Sequence, residues 1–521
     1  MELSVKKGRI EDEATDAVLL SHWEDEKTPG NETAAINTRL KGRLGGLLKT
    51  GEFTGRLGQI SIVHVAPWER LRAKRVVLVG LGKRKDGSLD KIRQAMGKAA
   101  KAIRDLGAKS FSTPLTLPSP MAHRRGKSHG RPGEGSGEGA REAAQAMVEG
   151  ALLGLYQFTT YRTEQTDEVK TLRRMTVVAG DARALAEVRD GVRHGQIIGE
   201  AALFVRDLCN HPANVVTPTY IAAEARKIAK EGRIRCTVLG RPQMQKLGMG
   251  AVLGVAQGSH EPPKFVILEY RGAARAERPV VLVGKTITFD SGGISLKPAD
   301  NMEQMKADMT GGAAVLAAVR AAARLRLPLR VVGIIPATEN MPGGRATKPG
   351  DILTSLSGKT IEVINTDAEG RLILADGLTY ATRYKPAALV DIATLTGACV
   401  VALGNHAIGV LGNDEGLIGE LKAAGEECGE RAWQLPLWEE YYEQIKSDVA
   451  DVKNTGGRPG GTITAAAFLS KFVGDSAWAH LDIASTDWSD RERAYIPKGA
   501  TGVGARLLIQ FLCNRANGKR R

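Results

Sequence analysis

Between residues 264 and 393, short runs of valine, isoleucine and leucine alternate with segments whose apolar residues recur at helical spacing. The runs are Lys264–Tyr270, Val280–Gly284, Leu329–Pro336, Thr360–Ile364 and Ala388–Ala393, with an earlier one at Cys236–Leu239. The helical segments include Pro218–Lys230, Ala313–Arg324 and Leu372–Thr382. Runs this apolar have no face to turn to water, and crossovers of helix length join strands that point the same way. The pattern predicts an α/β fold with a mainly parallel, twisted sheet covered by helices. Ligands of such sheets bind in the crevice beyond the carboxyl ends of the strands.

The loops that follow these runs carry the charged residues. After 280–284 come Lys285, Asp290, the turn Ser291-Gly292-Gly293, and Lys297; Asp308 then precedes a helix of small residues. After 360–364 comes Asn365-Thr366-Asp367-Ala368-Glu369-Gly370-Arg371-Leu372, which reads as a strand end, a turn and a helix start. The other two strand ends lead into Asn340–Arg345 and Thr394–Gly397. On an ordinary surface these carboxylates and cations would pair off as salt bridges. None of them, however, lies on the polar face of an amphipathic helix. Asp290, Asp308, Asp367 and Glu369 are ionised at neutral pH and suit hard or borderline divalent cations. Nine histidines include no HExxH, and Cys209, Cys236, Cys399, Cys428 and Cys513 have no zinc-site spacing. The cysteines read as reduced core thiols, and any metal here would be held by carboxylates, with lysine as a further donor.

A chain of 521 residues exceeds one hydrophobic core, so two domains are expected. The smaller, residues 1–182, is an N-terminal α/β domain with strands near Leu3–Val5, Ala17–Leu20, Ile60–Val65 and Val76–Gly80 and a helix over Asp90–Leu106. Residues 113–140 are rich in proline, glycine, serine and basic residues and read as a disordered surface insertion. The larger domain, 183–521, begins with a connector helix over about 184–208 and carries the main sheet. The formal net charge of +15 raises nucleic-acid binding as an alternative, but no helix-turn-helix, zinc-finger or RNA-recognition pattern accompanies it. The basic residues read instead as a solvated surface. No run approaches the roughly twenty apolar residues of a membrane span, and the start MELSVKKGRI lacks a signal-peptide pattern, so a cytoplasmic protein is expected.

The motifs together resemble the leucyl aminopeptidase family, the cytosolic two-metal peptidases. The resemblance is carried by NTDAEGRL at 365–372, by the spacing of Lys285, Asp290, Lys297 and Asp308, and by Asp391–Gly397, Gly456–Gly461 and Trp478–Ala484. It covers roughly residues 140–515. It implies one metal held by Asp290, Asp367 and Glu369, and another by Lys285, Asp290, Asp308 and Glu369, the ions being manganese or zinc. It implies hydrolysis of unblocked N-terminal residues from peptides by metal-activated water. Lys297 would stabilise the oxyanion, and Arg371 would hold a bicarbonate acting as general base. Met305, Thr394, Leu395, Gly397 and Ala484 would form a side-chain pocket suited to leucine and other apolar residues. Asp487 borders that pocket: it either points to solvent or favours basic or polar groups. A homohexamer is also implied. One departure is Thr286, where the family pattern has glycine; a β-branched residue resists positive φ, so an adjusted loop is expected there. A carboxylate-bridged hydrolase of phosphate esters is a further alternative class.

Overall fold

Alternate residues of a strand face opposite sides of its sheet, and burial on both sides requires apolar residues throughout. In the computed structural model, which describes residues 1–117, 136–164, 169–181, 184–272 and 278–518, strand Val280–Gly284 is buried along its whole length. It lies inside a nine-stranded sheet. The order is Ala432–Gln434, Ile408–Gly412, Trp478–Asp482, Ala388–Ala393, Val280–Gly284, Arg330–Asn340, Lys264–Arg271, Ile234–Leu239. The short strand Thr286–Asp290 pairs beside the far end of Arg330–Asn340. The four inner strands, from Trp478–Asp482 to Arg330–Asn340, are parallel. Antiparallel partners flank them on both sides.

Helices cover both faces of this sheet at close range. A Cβ on Gly284 would come within 2.5 Å of the Gly311 carbonyl, and one on Gly333 within 2.9 Å of Val315. Helix Thr310–Arg324 therefore sits on that face. On the other face Gly377, in helix Glu369–Thr382, approaches Val283. Small residues at these points let helix and sheet approach closely enough to bury both.

Four expectations need correction. The run at 360–364 ends as a strand at Glu362, and it belongs to a separate three-stranded sheet with Ile352–Thr354 and Val452–Lys453. A β-branched run specifies a strand but not the sheet it joins. The following helix starts at Glu369 rather than Leu372, so Glu369 and Arg371 are in its first turn. Asp290 does not sit in a glycine-rich loop after Gly284; it ends a second strand, Thr286–Asp290. Thr286 is extended there, and the non-glycine residues with positive φ among the described residues are Lys41, Asn301, Arg326 and Lys385. The β-branched side chain suits that conformation, so no adjusted loop is needed.

The described residues divide into two compact units: Met1–Glu200 with Arg491–Pro497, and Ala201–Asp490 with Lys498–Arg521. Helix Leu185–Asn210 carries the chain from the first to the second. The first unit has a six-stranded sheet ordered Glu2–Lys7, Arg174–Ala179, Ser110–Pro114, Ala17–His22, Arg75–Gly80, Ile60–His64; only the last pair is antiparallel. Helices Leu89–Asp105 and Ser136–Gly154 pack through Gly97, Gly150 and Gly154: a Cβ on Gly150 or Gly154 would meet the facing helix's backbone within 3 Å, and one on Gly97 would lie 3.2 Å from Gly150 O. Arg93 and Glu149 form a buried ion pair at 2.6 Å in the same interface. The insertion expected at 113–140 is bounded by the strand ending at Pro114 and the helix starting at Ser136; its residues 118–135 lie outside the described residues. All five cysteines are free thiols. No described helix is long and apolar enough to cross a membrane.

Candidate metal centre

Lys285 occupies the break between strands Val280–Gly284 and Thr286–Asp290. Its backbone stays tied on both sides: its N–H donates to Ile392 O and its carbonyl accepts from Gly312 N. Its side chain is buried, with Nζ 2.8 Å from Asp308 Oδ1, 2.8 Å from Glu369 Oε1 and 2.9 Å from the Thr394 carbonyl. Gly370 makes room for it, since a Cβ there would lie 2.6 Å from Lys285 Cε.

Asp290 is fixed by strand register. It pairs with Asn340 at the ends of their strands, and Asn340 Nδ2 donates to Asp290 Oδ1 at 2.8 Å. The Gly292 N–H donates to the same oxygen at 2.9 Å. That turn needs positive φ at Gly292 and Gly293, which only glycine adopts cheaply. It brings Lys297 back over the site, with Nζ 2.8 Å from Asp290 Oδ2 and 2.5 Å from Asp367 Oδ1. Asp308 follows the 3-10 turn Met302–Ala307 and accepts from Thr394 Oγ1 at 2.6 Å. Glu369 opens helix Glu369–Thr382, where the helix dipole favours an anion.

One oxygen each of Asp290, Asp367 and Glu369 lies within 4.8 Å of the others. Asp308 Oδ2 and Glu369 Oε2 are buried and have no hydrogen-bond partner. Burial raises the carboxyl of Asp308 well above the usual range against the pull of Lys285, with Asp290 and Glu369 adding to the rise. Glu369 is raised by burial and then by Asp290; Asp367 is raised by burial, which Lys297 opposes. Burial alone would lower Lys285 and Lys297, but the surrounding carboxylates outweigh it and hold both ammonium groups charged. The charge of four clustered carboxylates is thus only partly balanced. Oxygen donors this close, with unpartnered lone pairs, fit divalent cations.

The remaining expected site residues fall around this cluster. Thr394 is part of its framework, bonded to both Asp308 and Lys285. The Met305 carbonyl accepts the Asp308 amide at 3.3 Å, and its side chain is half-buried. The amides of Leu395 and Ala484 both donate to Asp482 Oδ1 at 3.2 Å. Gly397 is exposed at the start of helix Gly397–Leu403. Arg371 is buried beside the cluster, and its guanidinium donates to the Asn454 carbonyl at 2.7 Å. Its Nε has no hydrogen-bond partner, and burial pushes its pKa down to about 10 against Glu369 and Asp482. Asp487 does not point freely to solvent: it is half-buried, and burial pushes its carboxyl up to about 7, with the charge of Asp482 adding to it.

Sequence reading missed Asn454, and noted Asp482 only inside the motif Trp478–Ala484 and Asn340 only as part of a loop. The available signal was a polar residue inside or just after an apolar run, as in Leu481-Asp482-Ile483. Asp482 is fully buried and also accepts from Thr396 Oγ1 at 2.6 Å.

Residues 203–509 match the catalytic domain of the cytosol aminopeptidase family, and residues 18–124 match its N-terminal domain. A probable cytosol aminopeptidase of Geobacter sp. (strain M21) is 48% identical over 98% of this chain and 99% of its own length. One from Roseiflexus castenholzii is 46% identical over 98% of this chain and 99% of its own. A mutant tomato leucine aminopeptidase superposes with a TM-score of 0.84 at 32% identity, covering 98% of this chain and 96% of that one. The bottromycin maturation enzyme BotP in complex with Mn gives 0.81 at 36% identity, covering 96% and 100%. A nucleic-acid-binding role gains no support from these likenesses. Since they extend over both domains and nearly the whole of each relative, the chain belongs to the cytosol aminopeptidase family and is a metal-dependent aminopeptidase, a hydrolase of peptides.

Proposed function

We propose that this aminopeptidase removes unblocked N-terminal residues, leucine and other apolar residues foremost, with two divalent ions held by Lys285, Asp290, Asp308, Asp367 and Glu369. The observation that carries this reading is the buried carboxylate cluster with two unpartnered oxygens, Asp308 Oδ2 and Glu369 Oε2. Asp290, Asp367 and Glu369 would hold one ion. Lys285, Asp290, Asp308 and Glu369 would hold the other; the carboxylates keep Lys285 protonated in the metal-free protein, and a bound dication would displace that proton. Manganese or zinc suits the set, and manganese is the ion in the similar BotP structure. When bound, such ions polarise a carbonyl oxygen and acidify water.

The two cations beyond the ligands have separate roles. The Lys297 side chain keeps 22% of its surface exposed, against 4% for Lys285, so it is the lysine that substrate can reach. Its ammonium stabilises the oxyanion that develops at the scissile carbonyl. Arg371 is a buried cation with an unpartnered Nε, and an anion beside it offsets the cost of that burial. Bicarbonate matches its planar fork and has the chemistry of a general base. Met305, Thr394, Leu395, Gly397 and Ala484 border the substrate side chain. A cytoplasmic homohexamer accompanies this reading.

The test is release of leucine from a chromogenic amide by chelator-treated protein, before and after addition of manganese or zinc. Activity that returns with metal, and is absent on an N-acetylated substrate, is the expected result. Full activity in the chelated protein, or equal cleavage of the blocked substrate, would refute the proposal.

A further inference from the structure

We propose that Asn454 is a positioning residue that holds the metal-ligand turn and the Arg371 guanidinium in one fixed relation. This inference rests on the ligand assignment above. Asn454 is fully buried and follows the short strand Val452–Lys453. Its N–H donates to the Glu362 carbonyl at 2.9 Å, which extends the small sheet by one rung. Its side chain then takes over where the strand Thr360–Glu362 stops. Oδ1 accepts from Ile364 N at 2.8 Å and from Asn365 N at 3.3 Å, and Nδ2 donates to the Asn365 carbonyl at 2.7 Å. Three main-chain groups that have left the ladder are thus satisfied by one amide. Its carbonyl accepts from Arg371 at 2.7 Å.

Apolar burial ends at Val363, which is fully buried, since Ile364 is 43% exposed. Polar contacts have to hold the turn beyond it. From Asn365 the order is passed on: Asn365 Oδ1 accepts the Asp367 amide at 2.8 Å, and helix Glu369–Thr382 begins two residues later. The job needs an acceptor and a donor on one planar group. Aspartate keeps the acceptor but sets an oxygen against the Asn365 carbonyl. It also places a carboxylate near Arg371, where it competes with any small anion.

The experiment uses the full chain and compares Asn454→Asp, Asn454→Ser and Asp451→Ala with wild type. Asp451 is the matched control: its carboxylate accepts from Thr360 N and Oγ1 in the same small sheet, away from the ligands. Manganese affinity is read from the free Mn(II) signal in electron paramagnetic resonance, bicarbonate response from its half-saturation constant, and folding from Tm. Supporting residues around metal ligands typically alter affinity about 10- to 100-fold, and a loss of at least about tenfold is expected for Asn454→Asp. Its bicarbonate half-saturation should rise as well. Asp451→Ala should lower Tm and leave both constants unchanged. Should Asn454→Asp fail to fold, Asn454→Ser, which keeps a single hydroxyl, is expected to show the same two losses. Wild-type constants in a folded Asn454 variant, or equal losses in Asp451→Ala, would show that Asn454 only supports the sheet. A wild-type protein that binds no Mn(II) would instead bring down the ligand assignment, and this inference with it.

Discussion

Lys285 Nζ lies 2.8 Å from Glu369 Oε1, which joins the break in a central strand to the first residue of a covering helix. The two residues come from distant parts of the chain, and each is buried. The charged site is therefore built into the core, and its geometry depends on the packing of helix Glu369–Thr382 against strand Val280–Gly284.

Lys297 is expected to act on the transition state. Lys297→Ala should lower kcat with little change in KM. A preorganised electrostatic donor is typically worth about 2.7–4 kcal/mol, roughly a hundred- to a thousandfold in rate. Steady-state kinetics on a leucine amide measure this, and a variant whose only change is a higher KM would place Lys297 in ground-state binding.

Arg371 is expected to behave differently. In carbon-dioxide-depleted buffer at fixed pH, added bicarbonate should raise wild-type activity. Arg371→Ala should lose that response while keeping slow hydrolysis, because the carboxylate cluster is intact. Lys297→Ala should keep the response. If Arg371→Ala responds as wild type does, the base is held elsewhere.

A buried pair beneath the site gives a pH signature. His480 Nδ1 lies 2.6 Å from Asp391 Oδ1, and Trp478 Nε1 donates to Asp391 Oδ2 at 2.7 Å. Burial alone would lower the imidazole pKa, but Asp391 and then Asp482 outweigh it, so it stands above the usual 6.5 despite Arg371. The stabilisation from this pair is fully present below pH 6.5 and declines as pH rises through the raised native value. His480→Ala should flatten that part of the stability profile. It should also cost about 3–5 kcal/mol, the usual penalty for stranding one member of a buried pair. Thermal melts from pH 5 to 9 measure both, and an unchanged profile would show that His480 does not carry the dependence.

The clustered carboxylates were legible from the spacing of Lys285, Asp290, Lys297 and Asp308 and from NTDAEGRL at 365–372, which carry the family resemblance, and only Asp290 ends an apolar strand. The apolar runs mark the inner strands Ala388–Ala393, Val280–Gly284 and Arg330–Asn340, but not their order or the fourth inner strand, Trp478–Asp482. What the runs do not encode is which sheet a short strand joins, so Thr360–Glu362 was placed with the main sheet. The start of helix Glu369–Thr382 was set too late because Glu369 and Arg371 read as turn residues, although a carboxylate is stabilised at a helix N-terminus. Thr286 looked strained only while Lys285 was assumed to lead into a loop. Asn454 was invisible because its role depends on hydrogen bonds to residues about 90 positions away, and no local period reports those.

Metal content tests the central claim most directly. Wild type, Asp367→Ala and Glu369→Ala are loaded with manganese, freed of excess by gel filtration, and assayed for bound metal and for leucine release on the same samples. The account predicts about two ions per chain in wild type, fewer in both variants, and loss of activity in step with the metal. A variant that keeps the full complement of metal, or about a tenth or more of wild-type turnover at saturating manganese, would contradict it.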